Sequence, residues 1–270
     1  MKNQKTNFLV PQCLSALVPA FTLAEVLITL AIIGVVAAMT IPTLIADYQK
    51  KVYINKLKTT YTTLTHGMQL LMAETGCFDD IECTGAFDGI YSDVTDAEWN
   101  KTFFSKMEKV FKIAEKCDNT GNSCKLLGDK YKKLGDGDYI DYTTENRVGF
   151  TLQNGAWIFF NNAKHEFPSA NNSAIKKVVS YMVVDTNGSQ GPNQAGRDLF
   201  QMILAQNGRI YADTSIEMEK AKLGDEWETS TDYWRNAPIQ CGQLDGTIPT
   251  NAYGTNCLAR IMEENWQMNY

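Results

Sequence analysis

Oxygen-bearing side chains alternate with small residues through the glycine-rich stretch 185–198, which reads DTNGSQGPNQAGRD. Calcium is a hard cation that prefers oxygen ligands at flexible geometry. The stretch is therefore a candidate calcium site, the one cofactor that the sequence suggests, although it lacks the glutamate that an EF-hand loop carries at its twelfth position. The alternative is an Asx-rich turn between two strands, stabilised by hydrogen bonds from side chain to backbone. The candidate ligands are Asp185, Asn187, Ser189, Asn193 and Asp198.

Other chemistry-bearing groups are sparse. Histidine occurs only at His66 and His165, which leaves little with which to build a Ser-His-Asp arrangement or a histidine metal site. The carboxylate pairs 79–80 and 263–264 are typical of solvated surface, and the sequence contains no phosphate-binding loop. We predict no catalytic residues, and that the chain is not an enzyme.

The longest apolar run of the chain extends from Phe21 to Ile45, and Glu25 is its only ionisable residue. At about 1.5 Å rise per residue, a helix of this length covers roughly 37 Å, more than the roughly 30 Å of a bilayer's hydrocarbon core. Lys2 and Lys5 precede the run without any acidic residue, which favours a cytoplasmic N-terminus. We predict one membrane-spanning helix over residues 21–45, with an extracytoplasmic head beyond it.

The residues AFTLAE at 20–25 resemble the cleavage and methylation motif of type IV pilins and type II secretion pseudopilins. The resemblance covers roughly residues 20 to 60 and includes the Ala20-Phe21 junction, the lone Glu25, the apolar run and a helix-breaking Pro42. Ala20 stands where the family usually has glycine, and residues 1–20 are longer and more apolar than the usual leader. The resemblance implies that a prepilin peptidase and methyltransferase removes residues 1–20 and methylates the amine of Phe21.

The resemblance also implies a role in assembly for Glu25. An unpaired carboxylate in hydrocarbon costs at least a few kcal/mol. Cleavage before Phe21 creates an α-amine four residues upstream, and a pair between Glu25 and that amine on a neighbouring subunit would fix axial register. The alternatives are a protonated Glu25 near the membrane interface, or a pair with the amine of its own chain. Pro42 is a natural site for bending or local melting of the assembly helix.

Seven cysteines are an awkward number for an exported protein, and removal of the leader takes Cys13 away. Six cysteines allow 15 connectivities. Zinc is the alternative to disulfides, but the spacings include no CxxC. An oxidising compartment favours disulfides. Proximity in sequence favours the pairs Cys77 with Cys83, Cys117 with Cys124, and Cys241 with Cys257.

Beyond the membrane-spanning segment, the apolar residues keep a helical period. We predict that residues 46–75 continue the same helix, which ends near Ala73 before Gly76 and packs its apolar stripe on a head formed by residues 76–270. The stripe consists of Ile54, Leu57, Tyr61, Leu64, Met68 and Leu71.

The head is predicted to be α+β with an antiparallel sheet, which gives the whole chain a pilin-like layout. Asn154-Gly155 and Asn207-Gly208 each separate two apolar stretches, a strong hairpin signal. The run VVSYMVV at 178–184 predicts a buried strand. Residues 96–117 predict a helix that begins at Asp96.

Three functions fit these features. The favoured one is a structural subunit, major or minor, of a type IV pilus or a type II secretion filament. The alternatives are an adhesive or substrate-binding tip subunit of the same machinery and a signal-anchored extracytoplasmic enzyme. The expected partners are the processing peptidase, other pilin-like subunits, the inner-membrane assembly platform and the lipid bilayer. A net charge of −6 predicts no nucleic-acid partner. The expected location is the inner membrane, and then a periplasmic or cell-surface filament.

Overall fold

The computed structural model describes residues 21–88, 97–117, 130–135, 139–140, 147–161, 165–166, 175–223 and 235–270. Within them the chain is α+β, as predicted: a long N-terminal helix followed by a head built on an antiparallel sheet. The chain divides into two compact units, with the boundary after Asp47.

All of the described strands follow the second helix in the chain. The helices are α1 (Leu23–Thr75), α2 (Ala97–Val110), α3 (Ile216–Leu223), α4 (Pro238–Cys241) and α5 (Cys257–Glu263), and a short 3-10 helix covers Glu82–Thr84. The strands are β1 (Ile113–Cys117), β2 (Tyr131–Lys132), β3 (Tyr139–Ile140), β4 (Arg147–Leu152), β5 (Trp157–Asn161), β6 (His165–Glu166), β7 (Lys177–Asp185), β8 (Leu199–Ala205) and β9 (Ile210–Ala212).

Helix α1 is long and apolar enough to cross a membrane, by length and composition, and it contains Pro42. Its later half is amphipathic as predicted, because Leu57, Leu64 and Met68 of the apolar stripe are fully buried in the head. The helix ends as a Schellman motif: Gly76 adopts a φ of 72°, and the N–H of Cys77 bonds back to a carbonyl five residues earlier at 2.9 Å. A glycine at this position explains why the helix stops there.

The main sheet has the strand order β1-β4-β5-β7-β8-β9, with β6 paired to β7, and β2 pairs with β3 in a separate ribbon. Its pairs are antiparallel. Both predicted hairpins are confirmed: Asn154-Gly155 lies between β4 and β5, and Asn207-Gly208 lies between β8 and β9. The predicted strand VVSYMVV is β7, which lies between β5 and β8.

The prediction of one helix over residues 96–117 is wrong at its C-terminal end. Helix α2 stops at Val110, and residues 113–117 form β1, which pairs with β4 along the edge of the sheet. That pairing supplies the backbone hydrogen bonds that a helix would otherwise supply, and a partner more than thirty residues away leaves no trace in local periodicity. Asp96, the predicted start of the helix, lies outside the described residues.

The sheet is buried on both faces. Successive residues of a strand point to opposite sides, so Phe160 and Met202 pack with helices α1, α2 and α5, while Phe159 and Val183 belong to a second core cluster. A third cluster joins the sheet to Met218 of α3. Burial on both faces explains why these strands read as continuous apolar runs rather than as alternating ones.

Candidate functional site

Two of the predicted processing and assembly residues, Phe21 and Glu25, lie at the start of α1. Phe21 directly precedes the helix and its side chain is 85% exposed, while Glu25 lies in the first turn. Pro42 lies inside the helix and is exposed. Ala20, on the other side of the predicted cleavage junction, lies outside the described residues.

Thr22 and Glu25 form a reciprocal capping box. The backbone N–H of Thr22 and its hydroxyl both donate to Oε2 of Glu25 at 2.8 Å, and the N–H of Glu25 donates to Oγ1 of Thr22 at 3.2 Å. Such a box satisfies two of the backbone donors that a helix leaves unpaired at its N-terminus. Glu25 therefore has a structural role in starting the helix that does not need a second subunit.

The helix that this box starts has an apolar surface all round. Every large hydrophobic side chain from Leu23 to Ile45 is exposed. A surface of this kind is stable only in lipid or against other apolar chains. The single carboxylate therefore lies at the very beginning of a segment that nothing else in the described chain covers.

Two of the three predicted cysteine pairs are present in the structure. Cys77 bonds to Cys83, and Cys241 bonds to Cys257. Cys117 also takes part in a disulfide, and Cys124, its predicted partner, lies outside the described residues. Each described pair closes a loop on the head, which is the kind of cross-link that an oxidising compartment permits.

The predicted calcium loop connects β7 to β8, and the carboxylate of Asp185 anchors its first turn. Asp185 is fully buried. Its Oδ1 accepts hydrogen bonds from the N–H groups of Asn187 at 3.0 Å and Gly188 at 2.8 Å, and its Oδ2 accepts one from the hydroxyl of Tyr131 at 2.8 Å. The carboxylate thus ties the turn to the ribbon formed by β2 and β3.

Asp198, also buried, anchors the far end of the same loop. Its Oδ2 accepts a hydrogen bond from the N–H of Asn193 at 2.8 Å, and its Oδ1 accepts one from the N–H of Gln194 at 2.7 Å. The amide of Asn187 donates to the carbonyl of Gly191 at 3.1 Å. These bonds are the ones expected of an Asx-rich turn held by side chains. That turn is the second interpretation of this stretch that the sequence allows, beside a calcium site.

Burial and mutual repulsion change how the two carboxylates ionise. The pKa of Asp185 is raised to about 7, first because the group is buried and second because of the charge of Asp198. Burial also raises the pKa of Asp198. Neither carboxylate forms an ion pair with a cationic side chain of the described residues.

The oxygen set of this loop fits a hard cation in part. A carboxylate has about four lone-pair positions, and Asp185 uses three of them. The side-chain oxygens of Asn187 and Asn193 are buried without a hydrogen-bond partner in the described structure. Ser189, by contrast, is exposed. No group of three or more His, Cys, Asp or Glu among the described residues could hold a metal, so calcium here would depend on both carboxylates and both amide oxygens.

The remaining chemistry-bearing residues lie apart from this loop. His66 is exposed on α1, and His165 lies in β6. Glu263 and Glu264, predicted as solvated surface, instead form ion pairs at 2.9 Å with Arg235 and with the fully buried Arg260. For Glu264 the buried Arg260 explains the difference, because a cation removed from water needs a charged partner.

Sequence reasoning missed three residues that hold these sites together. Thr22 could have been found, because Thr-x-x-Glu before an apolar run is the signature of a capping box. Tyr131 lies 54 residues from the carboxylate that it contacts, and Tyr270 donates at 2.6 Å to the carbonyl of Gly196, 74 residues away. Contacts at such separations leave no local signal.

No family model matches this chain, and neither a curated protein nor a solved structure matches it.

Proposed function

We propose that this chain is a structural subunit, a pilin or pseudopilin, of a type IV pilus or type II secretion filament. It is cleaved before Phe21, anchored in the inner membrane through α1 with its head on the extracytoplasmic side, and then assembled through the same helix. Its partners are the processing peptidase, other pilin-like subunits and the assembly platform, and it carries no catalytic site.

One observation carries this proposal: Glu25 is the lone carboxylate at the first turn of a helix whose apolar side chains are all exposed. A carboxylate in hydrocarbon costs about 2.5 kcal/mol or more. A capping role alone would be met by a serine or threonine followed by glutamine. The negative charge at this position therefore favours pairing with a cation inside an apolar assembly.

The rest of the architecture supports the same reading. The later half of α1 belongs to the core of the head, so the head and the second part of this helix fold as one unit. The disulfides at residues 77–83 and 241–257 suit a head that is exported. A subunit of this design carries its own anchor, its own assembly surface and an independently cross-linked head.

Intact mass and N-terminal sequencing of the chain from native membranes test the proposal. We expect a chain that begins at Phe21 with one methyl group on its amine and that lacks six thiol hydrogens. Ala20→Gly should be processed as well as the parent chain, since glycine is usual at this position in the family, whereas Ala20→Lys should block processing.

Retention of residues 1–20 on the mature protein would contradict the proposal. The signal-anchored enzyme would then be the better reading. A chain that is processed and methylated but never recovered in sheared filaments would keep the anchor and the cleavage and would exclude the structural role.

A further inference from the structure

An open groove runs along the solvent side of the later half of α1, with a volume of about 600 Å³. We call it the helix groove. Its helical residues recur every three or four positions, so they share one face of α1. It is lined by Asn55, Lys58, Thr59, Thr62, Thr63, His66 and Val110.

The helix groove lies on a basic stretch of the chain. Between residues 48 and 73 there are four lysines and no acidic residue. Lys51 continues the groove by one turn, and Lys51 and Lys58 are both exposed. Neither forms an ion pair with a described residue, although Nζ of Lys58 lies 5.6 Å from the ring centre of Trp266. The groove therefore presents unneutralised positive charge.

The opposite charge lies just beyond the end of the same helix. From residue 59 to residue 100 the sequence contains eight acidic residues and no lysine or arginine. Directly after the helix, this stretch forms the loop that the Cys77–Cys83 disulfide closes, which we call the disulfide loop. Asp79 is exposed, and neither Asp79 nor Asp80 forms an ion pair with a described residue.

The disulfide loop also carries the most exposed large hydrophobic side chain of the described part of the head. Phe78 is 81% exposed, whereas Leu244 is 64% exposed and Tyr139 is 52% exposed. An aromatic residue on a cross-linked loop loses little conformational entropy on binding, and aromatic residues are enriched at the centres of protein interfaces. Phe78 is therefore suited to the centre of an interface, and its two neighbouring carboxylates are suited to the polar rim.

The two surfaces cannot meet within one chain. From Thr62, in the middle of the groove, to Cys77 the chain is almost entirely helical, and about 1.5 Å per residue separates them by roughly 20 Å. A continuous helix cannot fold back on itself. Only a second molecule can bring the acidic loop to the basic groove.

We propose that the disulfide loop of one copy of this chain docks into the helix groove of a second copy. Asp79 and Asp80 then lie near Lys58 and Lys51, and Phe78 enters the groove between the threonines. Because the two surfaces differ, the contact is heterologous, and repetition of a heterologous contact that does not close produces an open helical fibre. This inference rests on the proposed function, since it names the head contact of the same filament.

Charge reversal in the full-length chain, expressed in its own cells, tests the contact. We expect Lys58→Glu or Asp80→Lys alone to lower the amount of subunit recovered in sheared filaments about tenfold or more, because like charges then face each other. The double variant Lys58→Glu with Asp80→Lys should restore recovery. Lys101→Glu, an exposed lysine on α2, is the matched control and should behave as the parent chain.

Zero-length carbodiimide cross-linking of filaments from a mixture of isotopically light and heavy cells supplies an independent measurement. We expect mixed-label peptides that join Lys51 or Lys58 to Asp79 or Asp80, and their loss in Phe78→Ser, an exposed substitution that leaves the head core untouched. Links from these lysines to another protein only would overturn the proposal.

The proposed function and the proposed docking contact are contradicted by different results. If the parent chain is absent from filaments, the proposed function and this contact are both wrong. If the parent chain is present and the single charge reversals are recovered as well as Lys101→Glu, or the double variant is no better than the singles, only the docking contact is wrong. Normal disulfide content in each variant shows that the head has folded.

Discussion

Two properties of Glu25, its hydrogen bonding and its charge, can be separated by substitution. Glutamine retains an oxygen that can accept from Thr22, so Glu25→Gln should keep the capping box while it removes the charge. Thr22→Ala does the opposite. We expect Glu25→Gln to be processed normally and to be lost from filaments, and Thr22→Ala to be processed and incorporated at near the parent level.

The measurement is the ratio of subunit in sheared filaments to subunit in membranes, with N-terminal sequencing of both pools. Equal incorporation of Glu25→Gln and the parent chain would show that the capping box is the whole role of Glu25. Loss of both variants from filaments would instead indicate that an intact first turn is required, whatever its charge.

The raised pKa of Asp185 predicts that the stability of the head depends on pH. Its pKa is raised from 3.8 to about 7, so between these values the folded chain holds a proton that the unfolded chain has released. The free energy of unfolding of the head should therefore be greatest below about pH 4, fall as the pH rises to 7, and become flat above it. The upper limit of this change is about 4 kcal/mol, at about 1.36 kcal/mol per pH unit.

Asp185→Asn should remove most of this slope and raise stability at pH 8. An asparagine oxygen can still accept from the N–H groups of the turn, and its amide can donate to the hydroxyl of Tyr131. Urea unfolding of the head at pH 5 and pH 8 measures both effects, with Asp79→Asn, an exposed position, as the control. A parent head with no loss of stability between these pH values would contradict the prediction.

At the scale of elements, the loop between β7 and β8 has two ways to neutralise its buried carboxylates, a proton or a cation. At pH 8 the proton is largely lost, and the unpaired oxygens of Asn187 and Asn193 remain. We expect calcium to raise the Tm of the head relative to a chelator at pH 8 and to have little effect at pH 5. Asp185→Asn should abolish the response at pH 8.

Identical melting in calcium and in chelator at pH 8 would contradict the calcium hypothesis. The hydrogen bonds from Asn193 and Gln194 to Asp198 would then be the full explanation of the acidic residues in this loop. Thermal unfolding at pH 8, with and without calcium, therefore distinguishes a calcium site from a loop held by hydrogen bonds alone.

Elements that are determined by residues close together in the chain were predictable from the sequence. The stripe through Leu57 and Leu64 reports one helix face, Gly76 ends that helix, and each Asn-Gly pair supplies the positive φ that a tight hairpin needs. The cysteine pairs at 77–83 and 241–257 followed from closeness along the chain.

Elements that depend on contacts with residues far away in the chain were not predictable. Residues 113–117 continue the helical period of α2, but they are drawn into the sheet by β4. The loop at 185–198 was visible as a run of oxygen side chains, yet its fixed geometry depends on hydrogen bonds from Tyr131 and Tyr270, which are 54 and 74 residues from their partners. Tertiary contacts decided both cases.

At the scale of the whole molecule, charge and apolar surface are divided along the chain. Residues 74–270 contain 19 lysines and arginines against 29 acidic residues, whereas residues 48–73 contain four lysines and no acid, and residues 26–46 contain no charge. One chain therefore offers an apolar, a basic and an acidic surface in succession. Complementary surfaces at different positions along the same chain favour repeated, staggered contacts over a closed pair.

The same division predicts that the head folds without the membrane-spanning segment. Its core clusters begin at Ile54, and the boundary between the two compact units falls after Asp47. A fragment of residues 48–270 should therefore be soluble and should melt within about 3 °C of the full chain in detergent, which for a domain of this size corresponds to about 1 kcal/mol.

A fragment that begins at residue 60 lacks the buried Ile54 and Leu57, and loss of such side chains costs about 2–5 kcal/mol each. It should melt far lower or fail to fold. Equal melting of the two fragments would mean that the first turns of the amphipathic segment contribute little to the head, and that the helix joins the head later than its buried stripe indicates.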